Sequence, residues 1–181
     1  MPPEEPKIIK LKICLVGDEG VGKTSLIRRF VTGQFDDAYI RTLGAVVSKK
    51  SVEVRNGRGS PSQVDMVILD IIGRRTFMQL FQDAYFSGAR GVIAVFDLTR
   101  KTTLRELPAW INGVRQTVGR VPVVSLANKD DLSGRHEARE EDFTEILGPL
   151  GVTVMRTSAK TGENVERAFL ELARGIVLAP A

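Results

Sequence analysis

An eight-residue segment near the amino terminus combines three glycines with a lysine and a threonine. It reads Gly17-Asp-Glu-Gly-Val-Gly-Lys-Thr24 and directly follows the apolar run Ile8–Val16. The glycines permit backbone conformations that a side chain would forbid, so consecutive N–H groups can converge on an anion at the start of a helix. Lys23 would supply a point charge to phosphate oxygens, and the Thr24 hydroxyl would bind Mg²⁺. The segment predicts a phosphate-binding loop of the Walker A form, called the phosphate loop below.

A second motif indicates which base accompanies the phosphates. Asn128-Lys-Asp-Asp131, called the guanine motif below, follows the apolar run at residues 121–127. In this arrangement Asp131 accepts hydrogen bonds from N1–H and the 2-amino group of guanine, while Lys129 packs over the ring. Adenine lacks that donor pair, and a site built on buried hydrogen bonds rejects an analogue without the partners by roughly 10⁴-fold. The tetrapeptide alone also fits a solvated turn.

A third motif, Ser158-Ala-Lys160, follows the strand-like run at residues 152–156. There the backbone N–H of Ala159 is placed to meet O6 of guanine. Each of the short motifs is weak by itself. Their order and spacing behind the phosphate loop make guanine the predicted base, and GTP or GDP the predicted ligand.

Apolar runs of strand length alternate with amphipathic segments, which predicts an α/β fold with helices on both faces of a parallel sheet. The predicted strands are residues 8–16, 44–55, 63–69, 91–96, 121–127 and 152–156. The predicted helices are residues 23–32, about 77–86, 104–118 and 140–147, and a last one. Turn residues at 56–61 predict a hairpin between the second and third strands. The last helix has one apolar face for docking on the sheet, formed by Val165, Ala168, Phe169, Leu172, Ala173 and Ile176.

Length and composition suit one globular domain, since the chain has 181 residues, 43% hydrophobic and 27% charged. We place that domain at residues 7–178, with flexible ends at 1–6 and 179–181. The net charge of +4 is too small to favour a nucleic-acid partner. One cysteine, Cys14, cannot form an internal disulfide, and no run reaches the roughly 18 apolar residues of a membrane span. We therefore expect a cytoplasmic monomer.

The motifs and their order resemble the Ras superfamily of small GTPases, in particular its Rab-like branch, over residues 12–176. The resemblance implies a three-layer α/β/α P-loop fold with a six-stranded, mostly parallel sheet and about five helices. It implies a molecular switch that binds GTP with Mg²⁺, hydrolyses it slowly, and tightens two switch segments around the γ-phosphate. Protein effectors, an exchange factor and a GTPase-activating protein are the implied partners.

The resemblance also assigns roles to single residues. Thr42 matches the first-switch threonine that binds Mg²⁺ and the γ-phosphate, and Asp70 matches the aspartate that holds a Mg²⁺-bound water. Gly73 matches the glycine whose N–H meets the γ-phosphate. Phe35 matches the aromatic residue beside guanine, and Tyr39 the one that closes over the phosphates.

Three sets of site residues follow. The expected metal ligands are Thr24, Thr42 and, through water, Asp70. The expected catalytic residues are Lys23, Thr42, Gly73 and Arg74. The expected nucleotide contacts are Gly17, Asp18, Glu19, Gly20, Val21, Gly22, Lys23, Thr24, Ser25, Phe35, Tyr39, Thr42, Gly73, Asn128, Lys129, Asp131, Ser158, Ala159 and Lys160.

The sequence departs from the family pattern at the second switch. Asp70-Ile-Ile-Gly-Arg74 stands where family members usually read Asp-Thr-Ala-Gly-Gln, with the glutamine orienting the attacking water. Arginine cannot replace that amide, so we expect slow hydrolysis that awaits an activator. Two other interpretations remain: Arg74 is a solvated surface arginine, or Arg74 or Arg75 acts on the phosphates in cis. The missing glutamine also leaves a second function open, a constitutively GTP-loaded protein-binding module.

Other departures concern the phosphate loop, the second switch and the chain ends. Glu19 occupies a position where the family tends to carry a small residue, and like-charge repulsion predicts a solvated carboxylate that points away from the phosphates. Ile71 and Ile72 replace the usual Thr-Ala, for which we expect core packing. Proline at position 2 and the ending Val-Leu-Ala-Pro-Ala181, without a cysteine motif, predict no lipid anchor.

Overall fold

The computed structural model of the protein describes residues 8–38, 44–55 and 61–179. These residues form six strands, five α-helices and two short 3₁₀ helices. The strands are β1 (Ile8–Val16), β2 (Ala45–Val54), β3 (Ser62–Ile71), β4 (Gly91–Asp97), β5 (Val123–Asn128) and β6 (Thr153–Arg156). The α-helices are α1 (Lys23–Thr32), α2 (Arg75–Phe86), α3 (Lys101–Val118), α4 (Glu140–Leu147) and α5 (Val165–Leu178). The 3₁₀ helices are Asp130–Arg135 and Gly148–Leu150.

The six strands form one sheet in the order β2-β3-β1-β4-β5-β6. Only the β2–β3 pair is antiparallel. This confirms the α/β fold with a mostly parallel sheet, and the antiparallel pair is the predicted hairpin. The residues of its turn, 56–60, lie outside the described residues, as do residue 7 and positions 1–6 and 180–181 of the expected flexible ends.

Two hydrophobic cores lie on opposite faces of the sheet. One contains α1 and α5, where the rings of Phe30 and Phe169 stack with centroids 4.0 Å apart. The other contains α2, α3 and α4. The predicted apolar face of α5 is buried throughout, and Ile71 and Ile72 are buried as expected. Burial of these faces from water is the main force that fixes the helices on the sheet.

Two element boundaries differ from the sequence prediction for identifiable reasons. Helix α3 begins at Lys101 instead of residue 104, because the Glu137 carboxylate accepts the Lys101 N–H at 3.0 Å. That partner lies 36 residues away and cannot be read from the local pattern. Strand β5 begins at Val123 instead of residue 121, and Pro122, which has no N–H to donate to a ladder, directly precedes it.

No helix within residues 8–38, 44–55 and 61–179 combines the length and apolar character needed to cross a bilayer.

Cys14 offers a direct test of the core. Its side chain is buried in β1, and burial raises the pKa of the thiol to about 12 from its ordinary value of 9.0, against a small opposing effect of Lys12. Because the thiolate is the reactive form, we expect no measurable reaction of the folded protein with an aromatic disulfide at about pH 8, and rapid reaction once it is unfolded.

The raised pKa of Cys14 also determines how the stability of the fold changes with pH. The neutral buried thiol stabilises the fold below about pH 9, and this contribution is lost as the pH rises towards 12. A native reaction rate within about tenfold of the unfolded rate would contradict the burial of Cys14.

Candidate nucleotide-binding site

The phosphate loop connects β1 to α1 and has a backbone that requires glycine at two points. Gly17 has φ 138° and Gly22 has φ 105°, both in the region that L side chains rarely adopt. A Cβ at Gly17 would lie 2.2 Å from the carbonyl oxygen of Val95, and one at Gly22 would lie 2.3 Å from Nδ2 of Asn128. The loop is therefore packed against β4 and against the first residue of the guanine motif.

Lys23 is held at the centre of this loop. Its Nζ donates hydrogen bonds to the carbonyl oxygens of Gly17 at 2.7 Å and Asp18 at 2.9 Å. Burial lowers the pKa of the ammonium to about 8, and the nearby Asp70 carboxylate works in the opposite direction. The buried ammonium supplies a positive charge at the loop, where phosphate oxygens would complete its surroundings.

The residues expected around Mg²⁺ are adjacent where the structure describes them. Thr24 Oγ1 donates a hydrogen bond to Oδ2 of Asp70 at 2.5 Å. A hydroxyl and a carboxylate are hard oxygen donors, and Mg²⁺ typically binds through one or two such groups together with substrate phosphates and water. The pair therefore fits the predicted cation. Thr42 lies outside the described residues, and those that are described contain no group of three His, Cys, Asp or Glu side chains arranged to hold a metal ion.

The guanine motif is fixed by hydrogen bonds to the two neighbouring segments. Ser158 Oγ donates to Oδ1 of Asp131 at 2.6 Å. Asn128 is buried; its Nδ2 donates to the carbonyl of Val21 at 2.9 Å, and its Oδ1 accepts from the Ala159 N–H at 3.3 Å. Asn128 thus joins the phosphate loop, the guanine motif and the Ser158-Ala-Lys160 segment.

Lys129 forms an ion pair with a residue that the sequence analysis missed. Its backbone is left-handed at φ 69°, and its Nζ pairs with Oδ2 of Asp97 at 2.7 Å. Burial by itself raises the pKa of Asp97, but hydrogen bonds from Lys129 and Thr99 outweigh it and hold that pKa below its usual range. Asp97 could have been found in the sequence as a carboxylate directly after the wholly apolar residues 91–96, at the carboxyl end of β4.

Trp110 on α3 is a second missed contact. Its Nε1 donates to Oδ1 of Asp18 at 3.1 Å, and the indole is almost fully buried. Asp18 was predicted to contact the nucleotide, but its carboxylate faces α3. The single tryptophan of the chain is thereby bonded to the phosphate loop and would report on it by fluorescence.

Most of the predicted nucleotide contacts converge on one cavity of about 320 Å³. This volume is within the range of small-molecule sites. The predicted residues that line it are Glu19, Gly20, Gly22, Lys23, Thr24, Ser25, Phe35, Gly73, Asn128, Lys129, Asp131, Ala159 and Lys160. Arg28, Asp36, Asp37, Ala38, Ile72 and Leu132 line it as well and were not predicted.

Other predicted site residues lie around the cavity without lining it. They are Gly17, Asp18, Val21, Asp70, Arg74 and Ser158. Val21, Asp70 and Ser158 are buried behind the lining residues. Tyr39 and Thr42 lie outside the described residues, so their assignments stay predictions.

The two unusual charged residues bind each other. Arg74 Nε and Oε2 of Glu19 are 3.3 Å apart, and their side chains are 50% and 35% exposed. Both side chains keep contact with solvent, so the solvated Glu19 and the solvated surface Arg74 stay predictions, to which the structure adds the ion pair between them. Gly73, just before Arg74, packs so closely that a Cβ would lie 2.4 Å from the backbone of Asp18 and Glu19.

Comparison with known proteins gives consistent matches over nearly the whole chain. Residues 12–178 match the model of the Ras family. The chain is 32% identical over 168 residues to "Ras-related protein Rab-13" of Canis lupus familiaris, covering 92% of this chain and 80% of that protein. The Rab-13 proteins of Mesocricetus auratus and Bos taurus are 32% and 31% identical over the same length. Every residue that lines the cavity falls inside the matched span.

Proposed function

Because this chain belongs to the Ras family of GTP-binding switch proteins, we propose that it hydrolyses bound GTP slowly and that Arg74 is the reason. Members of the family bind a guanine nucleotide, hydrolyse GTP and act through protein partners, and these general properties extend to this chain. The observation that supports a low rate is the position of Arg74. The residue stands where the water-orienting glutamine is usual, but it does not line the cavity, and its guanidinium is paired with Glu19.

Different residues at the cavity would bind the base, the phosphates and Mg²⁺. Asp131, Asn128 and the Ala159 N–H would recognise guanine, and the phosphate loop with Lys23 would hold the phosphates. Thr24 and Asp70 would hold Mg²⁺, whose charge neutralises the β- and γ-phosphate oxygens when it is bound. Catalysis would then consist of positioning and electrostatic stabilisation, which is why a misplaced group at residue 74 matters.

The switch would act on partner proteins through surfaces next to the cavity. Val46 and Val47 on β2 are 52% and 57% exposed, and Leu80 and Phe81 on α2 are 76% and 46% exposed. These elements precede and follow β3, which ends at the Asp70 segment. Exposed apolar side chains at such a place favour an effector that detects the state of the nucleotide.

Single-turnover hydrolysis of preloaded GTP tests the rate. We expect Arg74→Gln to hydrolyse GTP faster than the wild type, on the order of ten- to a hundredfold, since an amide can orient water and a paired guanidinium cannot. Arg75→Gln is the matched control, because Arg75 pairs with Glu106 on α3 at 2.6 Å and does not line the cavity. It should change the rate less than about twofold.

An Arg74→Gln protein no faster than the wild type would argue against this role of residue 74. A wild type that is fast, and slowed by both Arg74→Gln and Arg74→Ala, would mean that Arg74 already acts in cis. The second candidate, a constitutively GTP-loaded binding module, draws on the same exposed apolar residues. It predicts that the purified protein retains intact GTP and that no measurable GDP forms during single turnover.

A further inference from the structure

The ion pair between Glu19 and Arg74 joins two positions that are 55 residues apart in the sequence. Glu19 belongs to the phosphate loop, and Arg74 directly precedes α2. Glu19 lines the cavity, whereas Arg74 does not. The ion pair therefore connects a residue of the cavity wall to a residue that does not line the cavity.

The backbone around this pair keeps Arg74 next to the phosphate end of the cavity. In the proposed function Asp131 and Lys160 contact guanine, and Lys23, Thr24 and Gly73, which also line the cavity, contact the phosphates and Mg²⁺. Gly73 is in tight contact with the phosphate loop, so the Cα of the next residue cannot be far from it. The Arg74 side chain is thus attached beside the place where a terminal phosphate would lie, and it is turned towards Glu19.

The position of Glu19 is itself supported. Arg100 donates a hydrogen bond from Nη2 to the carbonyl oxygen of Glu19 at 2.9 Å, and its Nε pairs with the buried Asp97 at 3.2 Å. The loop carbonyl is therefore anchored to the end of β4. The backbone of Glu19 is thereby held in place, within reach of Arg74 for its side chain.

Such a pair is weak enough to be exchanged. Both side chains are in contact with solvent, and ion pairs of this kind contribute little in water. A terminal phosphate carries more negative charge than a carboxylate and forms strong, often bidentate, contacts with a guanidinium. The two anions would compete for Arg74, and the negative charge on Glu19 would lower the fraction of time that Arg74 binds the phosphate.

We propose that Glu19 is an autoinhibitory positioning residue, which keeps hydrolysis slow by holding Arg74 away from the terminal phosphate. The inference deepens the proposed function and rests on it. In the reaction the oxygen of water bonds to the γ-phosphorus while the bond to the β–γ bridging oxygen breaks. The electron pair stays on GDP, and the proton of water ends on the released phosphate or solvent. A guanidinium at the transferring group stabilises the negative charge spread over its oxygens.

Single-turnover hydrolysis by a small set of variants tests the role of Glu19. Glu19→Gln keeps the size of the side chain and removes its charge, so it frees Arg74. We expect it to hydrolyse preloaded GTP on the order of ten- to a hundredfold faster than the wild type. Glu19→Gln combined with Arg74→Ala should match Arg74→Ala alone within about twofold, because no guanidinium is left to release.

Glu106→Gln is the matched control, since it breaks the neighbouring ion pair with Arg75 without changing the cavity. It should leave the rate unchanged within about twofold. Thermal unfolding of every variant confirms that the fold is intact, and Glu19→Ala repeats the test with a smaller side chain.

Two outcomes overturn the inference. One is a folded Glu19→Gln protein that is no faster than the wild type. The other is an acceleration of the same size in the Arg74→Ala background, which would show that Glu19 acts by its own charge and not through Arg74. Failure of the proposed function is distinguishable, because it is read from a variant that keeps Glu19: Arg74→Gln would then be no faster than the wild type, or neither protein would form GDP.

Discussion

Asp131→Asn is expected to lower the affinity for GTP by about 10³-fold, because the carboxylate that accepts two guanine donors becomes an amide. An amide offers one acceptor and one pair of donors, so its NH₂ group would face an N–H of the base. Ser158 Oγ holds the side chain in place at 2.6 Å. The conflict therefore cannot be relieved by turning the residue away without breaking that bond.

The same substitution should favour a different base. Xanthine carries an oxygen in place of the 2-amino group of guanine, and that oxygen would accept a hydrogen bond from the new amide. We expect the affinity for xanthosine triphosphate to rise while the affinity for GTP falls. Displacement of a fluorescent nucleotide, measured separately with GTP and xanthosine triphosphate, gives both numbers.

Asp130→Asn is the control, because Asp130 is the adjacent carboxylate, binds Arg156 at 2.8 Å and does not line the cavity. It should leave the preference between the two bases unchanged. If Asp131→Asn weakened both triphosphates equally, the substitution would be acting on the loop as a whole and Asp131 would not be the base-reading group.

The order of elements could be predicted because the decisive signals are local. Apolar runs bounded by turn residues mark the buried strands, and the three- and four-residue spacing of Val165 to Ile176 marks α5. The starts of α3 and β5 were predicted less well. The start of α3 depends on a hydrogen bond to Glu137, which is distant in the chain and cannot be read from periodicity. The start of β5 follows Pro122, a local signal that the apolar pattern of the run outweighed in the prediction.

In the candidate site, too, local features could be predicted from the sequence and contacts between distant residues could not. The phosphate loop and the guanine motif are contiguous in sequence, and a contiguous motif carries its chemistry with it. The contacts that fix them to the rest of the fold are pairs between distant residues: Lys129 with Asp97, Trp110 with Asp18, and Glu19 with Arg74. Each partner can be recognised as unusual in sequence, but the pairing depends on strand order. The carboxyl ends of β1, β4 and β5 meet at one edge of the sheet, which is what brings these residues together.

Gly22→Ala is expected to show how strongly the phosphate loop and the guanine motif depend on each other. The new Cβ would lie 2.3 Å from Nδ2 of Asn128, a buried residue whose Nδ2 donates to the Val21 carbonyl and whose Oδ1 accepts from the Ala159 N–H. Asn128 would have to move and release those partners. We expect GTP and GDP affinity to fall by about 10²-fold or more, and the free energy of unfolding to fall by roughly 3 kcal/mol.

Gly33→Ala separates this clash from backbone strain. Gly33 ends α1 with φ 72°, a left-handed conformation like that of Gly22, but nothing lies within 4 Å of its Cβ position. Its substitution should cost about 1 kcal/mol of stability and leave nucleotide affinity unchanged. Urea unfolding of the nucleotide-free proteins, together with nucleotide titrations, measures the two effects separately, since bound nucleotide would itself stabilise the fold. If the two variants lost stability and affinity equally, left-handed strain alone would explain Gly22. The larger loss expected for Gly22→Ala would instead locate the coupling in Asn128, the side chain that makes one binding site out of two sequence motifs.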